Sequence, residues 1–121
     1  MKLGRKISGG KYNKNRKKKL HEKTGQKKSV KAGEEKRKVK RVVGGNKKTF
    51  LLGAKFVNVN DSKTKNIKKI EIKNVLETPS NRFLARQNII TKGTILETEV
   101  GKIRVTNRPS QEGVVNGIFI E

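Results

Sequence analysis

Apolar residues enter this chain late. Before residue 34 they stand singly, with no period of two or of 3.6, and no element is predicted there beyond a helical turn that residues 14–23 could form on binding. From Glu34 the pattern changes. Val39, Arg41 and Val43 alternate with Lys38, Lys40 and Val42, which predicts a strand. Gly44-Gly45-Asn46 reads as a turn, and Lys47 to Asn60 as the partner strand with Leu52, Ala54 and Phe56 on one face. The apolar phase then slips to Val57 and Val59, so a bulge is expected, with Gly53 as its site. A polar turn over Asn60 to Lys65 leads to the clearest period-two segment, in which Ile70, Ile72, Asn74 and Leu76 alternate with Lys69, Glu71, Lys73, Val75 and Glu77. Thr78-Pro79 reads as an N-cap followed by a first-position proline, opening a short helix to about Gln87. Thr94–Val100 and Lys102–Asn107 form a hairpin across Val100-Gly101, with Leu96, Val100, Ile103 and Val105 inward. Arg108 to Gly113 is a loop, and Val114 to Ile120 a final strand.

Five or six short strands must close, or nearly close, to remove their edges. The expected fold class is therefore all-β: a small closed or nearly closed β-barrel of five to six strands, with one short helix and an extended basic N-terminal arm. The arm is placed at residues 1–33 and the body at residues 34–121, with a soft boundary between about Glu34 and Thr49. A chain of 121 residues suffices for one modest domain.

Charge sharpens this division. The net charge is +22, with a pI of about 10.7. Residues 1–49 carry 20 Lys/Arg against 3 Asp/Glu, whereas residues 50–121 carry 12 against 7. The first part is too polar to offset its chain entropy by burial. Its excess charge also goes beyond what solubility needs and points to a polyanion. Lysine outnumbers arginine, Tyr12 is the arm's one aromatic, and glycines intersperse the cations. That mix suits a structured nucleic acid contacted through shape and phosphates better than stacking on unpaired bases. RNA and DNA both fit at this level. A membrane-surface role would need an amphipathic basic helix, which the glycine-rich arm does not supply.

Catalysis finds little footing. The single histidine, His21, lies in the arm with nothing to orient it as a general base. Glu97 and Glu99 read as a solvated hairpin face opposite Lys102 and Arg104. There is no cysteine and hence no disulfide or thiolate metal site. Neither Gly9-Gly10 nor Gly44-Gly45 has the context of a phosphate loop or dinucleotide fingerprint. Gly44-Gly45-Asn46-Lys47-Lys48 is compatible with a plain hairpin turn and with one that also presents amides and lysines to a phosphate. Arg82 and Arg86, four apart on the short helix, could be a solvated face or a guanidinium pair for a backbone phosphate. No catalytic residue, metal ligand, cofactor or small-molecule substrate is expected. No apolar run approaches the length of a membrane span and no signal core follows the basic N-terminus, so the expectation is an intracellular, soluble protein. The candidate RNA contacts are Lys2, Arg5, Lys6, Lys11, Arg16, Lys17, Lys18, Lys19, Lys27 and Lys28 in the arm, and Arg37, Lys40, Arg41, Lys47, Lys48, Arg82, Arg86 and Arg108 in the body.

Four motifs in order carry a family resemblance: Arg5-Lys6-Ile7-Ser8-Gly9-Gly10; Val42-Val43-Gly44-Gly45-Asn46-Lys47-Lys48; Asn81-Arg82 with Arg86-Gln87-Asn88-Ile89-Ile90-Thr91-Lys92-Gly93, Glu97-Thr98-Glu99 and Gly101-Lys102; and Arg104-Val105-Thr106 with Arg108-Pro109 and Gln111-Glu112-Gly113-Val114-Val115-Asn116. Over nearly its whole length the chain resembles the eukaryotic-type ribosomal protein eight of the small subunit, in the short archaeal form. The resemblance implies a non-enzymatic structural component of the archaeal small ribosomal subunit, cytoplasmic within the ribosome. Its partners would be small-subunit ribosomal RNA and neighbouring ribosomal proteins, and it would be a monomer when free. Longer eukaryotic members carry an insertion that this chain lacks. Its arm is richer in lysine, and poorer in arginine and proline, than the family pattern, and the chain ends at Glu121 just after the last strand.

Overall fold

The computed structural model describes residues 4–13, 15–61 and 66–120. The expected turn over Asn60 to Lys65 lies largely outside them, as do Lys2 and Glu121. Among the described residues there are nine strands: β1 (Val30–Ala32), β2 (Lys36–Arg41), β3 (Lys47–Ala54), β4 (Phe56–Asn60), β5 (Ile67–Glu77), β6 (Ile89–Ile90), β7 (Ile95–Thr98), β8 (Lys102–Val105) and β9 (Asn116–Phe119). One short helix, α1 (Arg82–Arg86), follows β5.

The strands β4-β5-β7-β8-β9 close into a barrel, and β2-β3-β1-β6 form a four-stranded sheet beside it. The slip of apolar phase after Ala54 is the point where the chain leaves the sheet and enters the barrel, across Lys55. A register shift does lie opposite Gly53: Lys36 pairs with Gly53 but Arg37 with Leu51. A Cβ on Gly53 would sit 2.3 Å from the Glu34 carbonyl oxygen, so only glycine admits the crossing backbone.

The barrel interior is filled by Val57, Val59, Ile70, Ile72, Val75, Leu96, Ile103 and Val105, all buried. The alternation of β5 does not survive its length. Register shifts between Ile72 and Asn74 and between Val75 and Glu77 turn Val75 inward and leave Leu76 exposed. In the β7–β8 hairpin, Leu96, Ile103 and Val105 are buried as expected, and the register sets Leu96 opposite Ile103. Val100, expected inward, is 60% exposed. The strand stops at Thr98, whose amide and hydroxyl both donate to the Gly101 carbonyl (3.1 and 2.8 Å), so Val100 stands in the turn.

The segment before Glu34, expected to lack structure, supplies β1. It runs parallel to β3 and antiparallel to β6. Val30 is 1% exposed and belongs to one core cluster with Leu51, Ile90 and the barrel residues. Three residues are too few to show a period, so this strand is invisible to pattern reading.

Helix α1 begins three residues later than Thr78-Pro79 predicts. Asn81 is the N-cap, and its side chain accepts from the Phe83 amide at 2.9 Å. Thr78 is instead buried in the preceding turn, its carbonyl accepting from the Asn81 amide at 3.0 Å. Asn88, at φ 52°, ends the helix in the left-handed region that asparagine tolerates, and the chain passes straight into β6.

Candidate nucleic-acid interface

The candidate cations fall into three groups. The first is a two-stranded ribbon made by β2 and the start of β3. Every residue from Lys36 to Thr49 is exposed, on both faces, so this hairpin stands clear of the core. Gly44 and Gly45, both at φ 79°, shape its tip. The antiparallel register sets Lys40 directly opposite Lys48, and Arg41 directly opposite Lys47. Like charges so placed repel and destabilise a sheet. No acidic residue occurs between Lys36 and Lys48 to relieve them. Glu35, just before the ribbon, pairs with Arg37. The loop after β8 joins the ribbon's base. The Pro109 carbonyl accepts from the Leu51 amide at 3.2 Å, and Lys48 Nζ donates to Gln111 Oε1 at 2.6 Å. This brings exposed Arg108 to the same side.

The second group is α1, packed against β5 and β6. Arg82 and Arg86 are both exposed. β6 and β2 are opposite edges of the sheet. Three strand spacings, about 14 Å, therefore separate the helix's edge from the ribbon's. The structure does not gather these arginines with Arg37, Lys40, Arg41, Lys47 and Lys48; it presents two separate cationic sites.

The third group is the arm. Arg5 and Lys11 form an isolated antiparallel bridge, closed by the Lys6 amide on the Gly10 carbonyl (2.9 Å) and the Gly9 amide on the Lys6 carbonyl (2.8 Å). Gly9, at φ 79°, allows this small hairpin. Leu20–Glu22 form a 3-10 turn. There Glu22 accepts from both terminal nitrogens of Arg16 and, at 3.0 Å, from the Lys19 amide. The Arg16 guanidinium first, and the Lys19 amide second, hold the Glu22 carboxyl below its ordinary value. Arg16 is thus engaged within the arm, while Lys17, Lys18 and Lys19 are exposed. Lys27 is exposed too. Lys28 places Nζ 3.5 Å from the centroid of the buried Phe50 ring and secures the arm to β3 as a cation–π contact.

Two ribbon cations escaped the sequence reading, Lys36 and Lys38. The available signal was the unbroken run Lys36-Arg37-Lys38, which a strand displays on both faces. The acidic pair separates as a solvated face would: Glu97 lies opposite Lys102, and Glu99 lies 3.7 Å from Lys73. His21 is exposed, 3.9 Å from Glu22. Among the described residues no group of His, Cys, Asp and Glu could hold a metal ion, and no helix is long and apolar enough to cross a membrane.

Residues 1–120 match the family described as Ribosomal protein S8e. The small ribosomal subunit protein eS8 of Methanococcus aeolicus is 47% identical over 119 residues, covering 96% of this chain and 91% of that protein. Its namesake in Sulfolobus acidocaldarius is 44% identical over 117 residues, with the same coverage of 96% and 91%. That of Ignicoccus hospitalis is 47% identical over 119 residues, covering 97% and 92%.

Proposed function

This chain belongs to the ribosomal protein S8e family, and from that premise we propose that it is a structural, non-enzymatic constituent of an archaeal small ribosomal subunit that binds small-subunit ribosomal RNA. The ribbon carries the reading. A free protein gains nothing from setting Lys40 against Lys48 and Arg41 against Lys47. A phosphate backbone between them converts repulsion into shared attraction and releases counterions. The arm adds a second, sequence-independent contact, neutralising phosphates as it threads the RNA surface. Arg82 and Arg86 supply a third. The relatives are, by name, proteins of the small ribosomal subunit. By the same reading this chain is a monomer when free, meets neighbouring small-subunit proteins on assembly and requires no cofactor.

The test is the salt dependence of binding to small-subunit ribosomal RNA, for the full chain and for a chain lacking residues 1–27. The cut spares Lys28 and β1, so the body keeps its core. The truncated protein is expected to stay folded, bind more weakly and show a slope smaller by several units. An unchanged slope removes the arm from the interface. Competition with duplex DNA at fixed salt separates ribosomal from architectural DNA binding, since equal competition by DNA would favour the latter.

A further inference from the structure

Phe83 is 60% exposed on a body whose other aromatic side chains are buried or half-buried. It lies in α1, the one α-helix among the described residues. At about 100° per residue, Arg82, Phe83 and Arg86 fall within a single arc of about 100°. Leu84 and Ala85 turn to the other side, half-buried, with Ala85 packed on the core. The Arg86 guanidinium lies 6.0 Å from the Phe83 ring centroid, at the rim of cation–π distance, so it flanks the ring and leaves room on it. From Thr78 to Leu96 the chain contains no acidic residue, while Arg82, Arg86 and Lys92 are all basic.

An apolar protein segment would cover the ring but leave two guanidinium groups at its border unmatched. A nucleotide matches both features, a flat base for the ring and a phosphate for the arginines. We propose that α1 holds one unstacked nucleotide of the bound RNA, its base on the Phe83 ring and its phosphate between Arg82 and Arg86. This rests on the RNA-binding reading above. It adds a contact of a different kind from the phosphate contacts of ribbon and arm, because a stacked base is single-stranded or flipped out of a helix. It also explains the separation of the two cationic sites: the ribbon meets backbone, and the helix edge meets a base.

The chain has no tryptophan, so Phe83→Trp creates a unique fluorophore at the site. The full-length variant is titrated with a ten-nucleotide adenine ribo-oligomer, and with an abasic ribose-phosphate oligomer of equal length and charge. The expected result is strong quenching by the first and little by the second, at saturation of both. In parallel, Phe83→Leu keeps an apolar side chain but loses the ring. It should weaken binding of the adenine oligomer about tenfold and leave the abasic oligomer unaffected. Equal quenching by the two oligomers, or equal affinity of Phe83→Leu for the adenine oligomer, overturns the proposal while the broader reading stands. If neither oligomer nor small-subunit ribosomal RNA binds the unmodified chain, both readings fall together.

Discussion

Gly117 shows how far single side chains decide this barrel. It lies on β9 opposite Val105 on one neighbour and Val59 on the other. A Cβ there would come within 2.4 Å of Ile103 Cγ2 and 3.1 Å of the Arg104 carbonyl oxygen. Ile103 fills the barrel centre because Gly117 leaves it room. Gly117→Ala is expected to cost about 2–3 kcal/mol, read as a lower urea midpoint at unchanged slope. Thr78 argues the other way. It is 1% exposed, and its Oγ1 has no hydrogen-bond partner among the described residues. A buried hydroxyl without a partner loses its hydration for nothing, so Thr78→Val should raise stability by about 1 kcal/mol. A fall of that size would mean that the hydroxyl is satisfied by ordered water. Thr78 also misleads the eye in the sequence. Thr-Pro is a standard helix opening, but Asn81 competes for the cap and wins, since its side chain reaches the Phe83 amide.

Among elements, strands with long alternation were legible in the sequence and short ones were not. β2, β3, the first half of β5 and the β7–β8 hairpin follow from period-two patterns and glycine turns. β1 and β6, at three and two residues, have no period to read. Nor does the sequence reveal that one apolar run serves two sheets; the slip of phase after Phe56 predicts a bulge at Gly53 and conceals a change of sheet at Lys55. The candidate site was legible only as charge for a related reason. Charge density marks cationic segments, but cross-strand register decides which cations confront each other. That register yields a prediction at the same scale. Lys40→Glu replaces a repulsive pair with Lys48 by an attractive one and spares the contact of Lys48 with Gln111. The free protein should gain a few tenths to about 1 kcal/mol, while the salt slope for ribosomal RNA falls by about one. Stability and affinity moving in opposite directions would mark the ribbon as shaped for its partner; a parallel change would not.

For the molecule as a whole, contacts of the body reach back into the segment that composition assigns to the arm. Composition places the division after Gly33, but Val30 is core and Lys28 covers Phe50. Removing residues 1–33 would take β1 with them and expose Leu51 and Ile90. That truncation is expected to unfold or aggregate where the cut after residue 27 does not, as circular dichroism of the two would show. The long-range pairing behind this has a consequence in time. Val30 pairs with Ile90, sixty positions later in the chain. At about 5–20 residues per second of synthesis, some 3–12 s pass between the appearance of β1 and that of the strand it must join. Through that interval the most basic part of the newborn chain has no finished body to hold its base in place. It is free to engage any polyanion within reach, so the register of one short strand fixes how long the nascent chain carries its charge without a folded anchor.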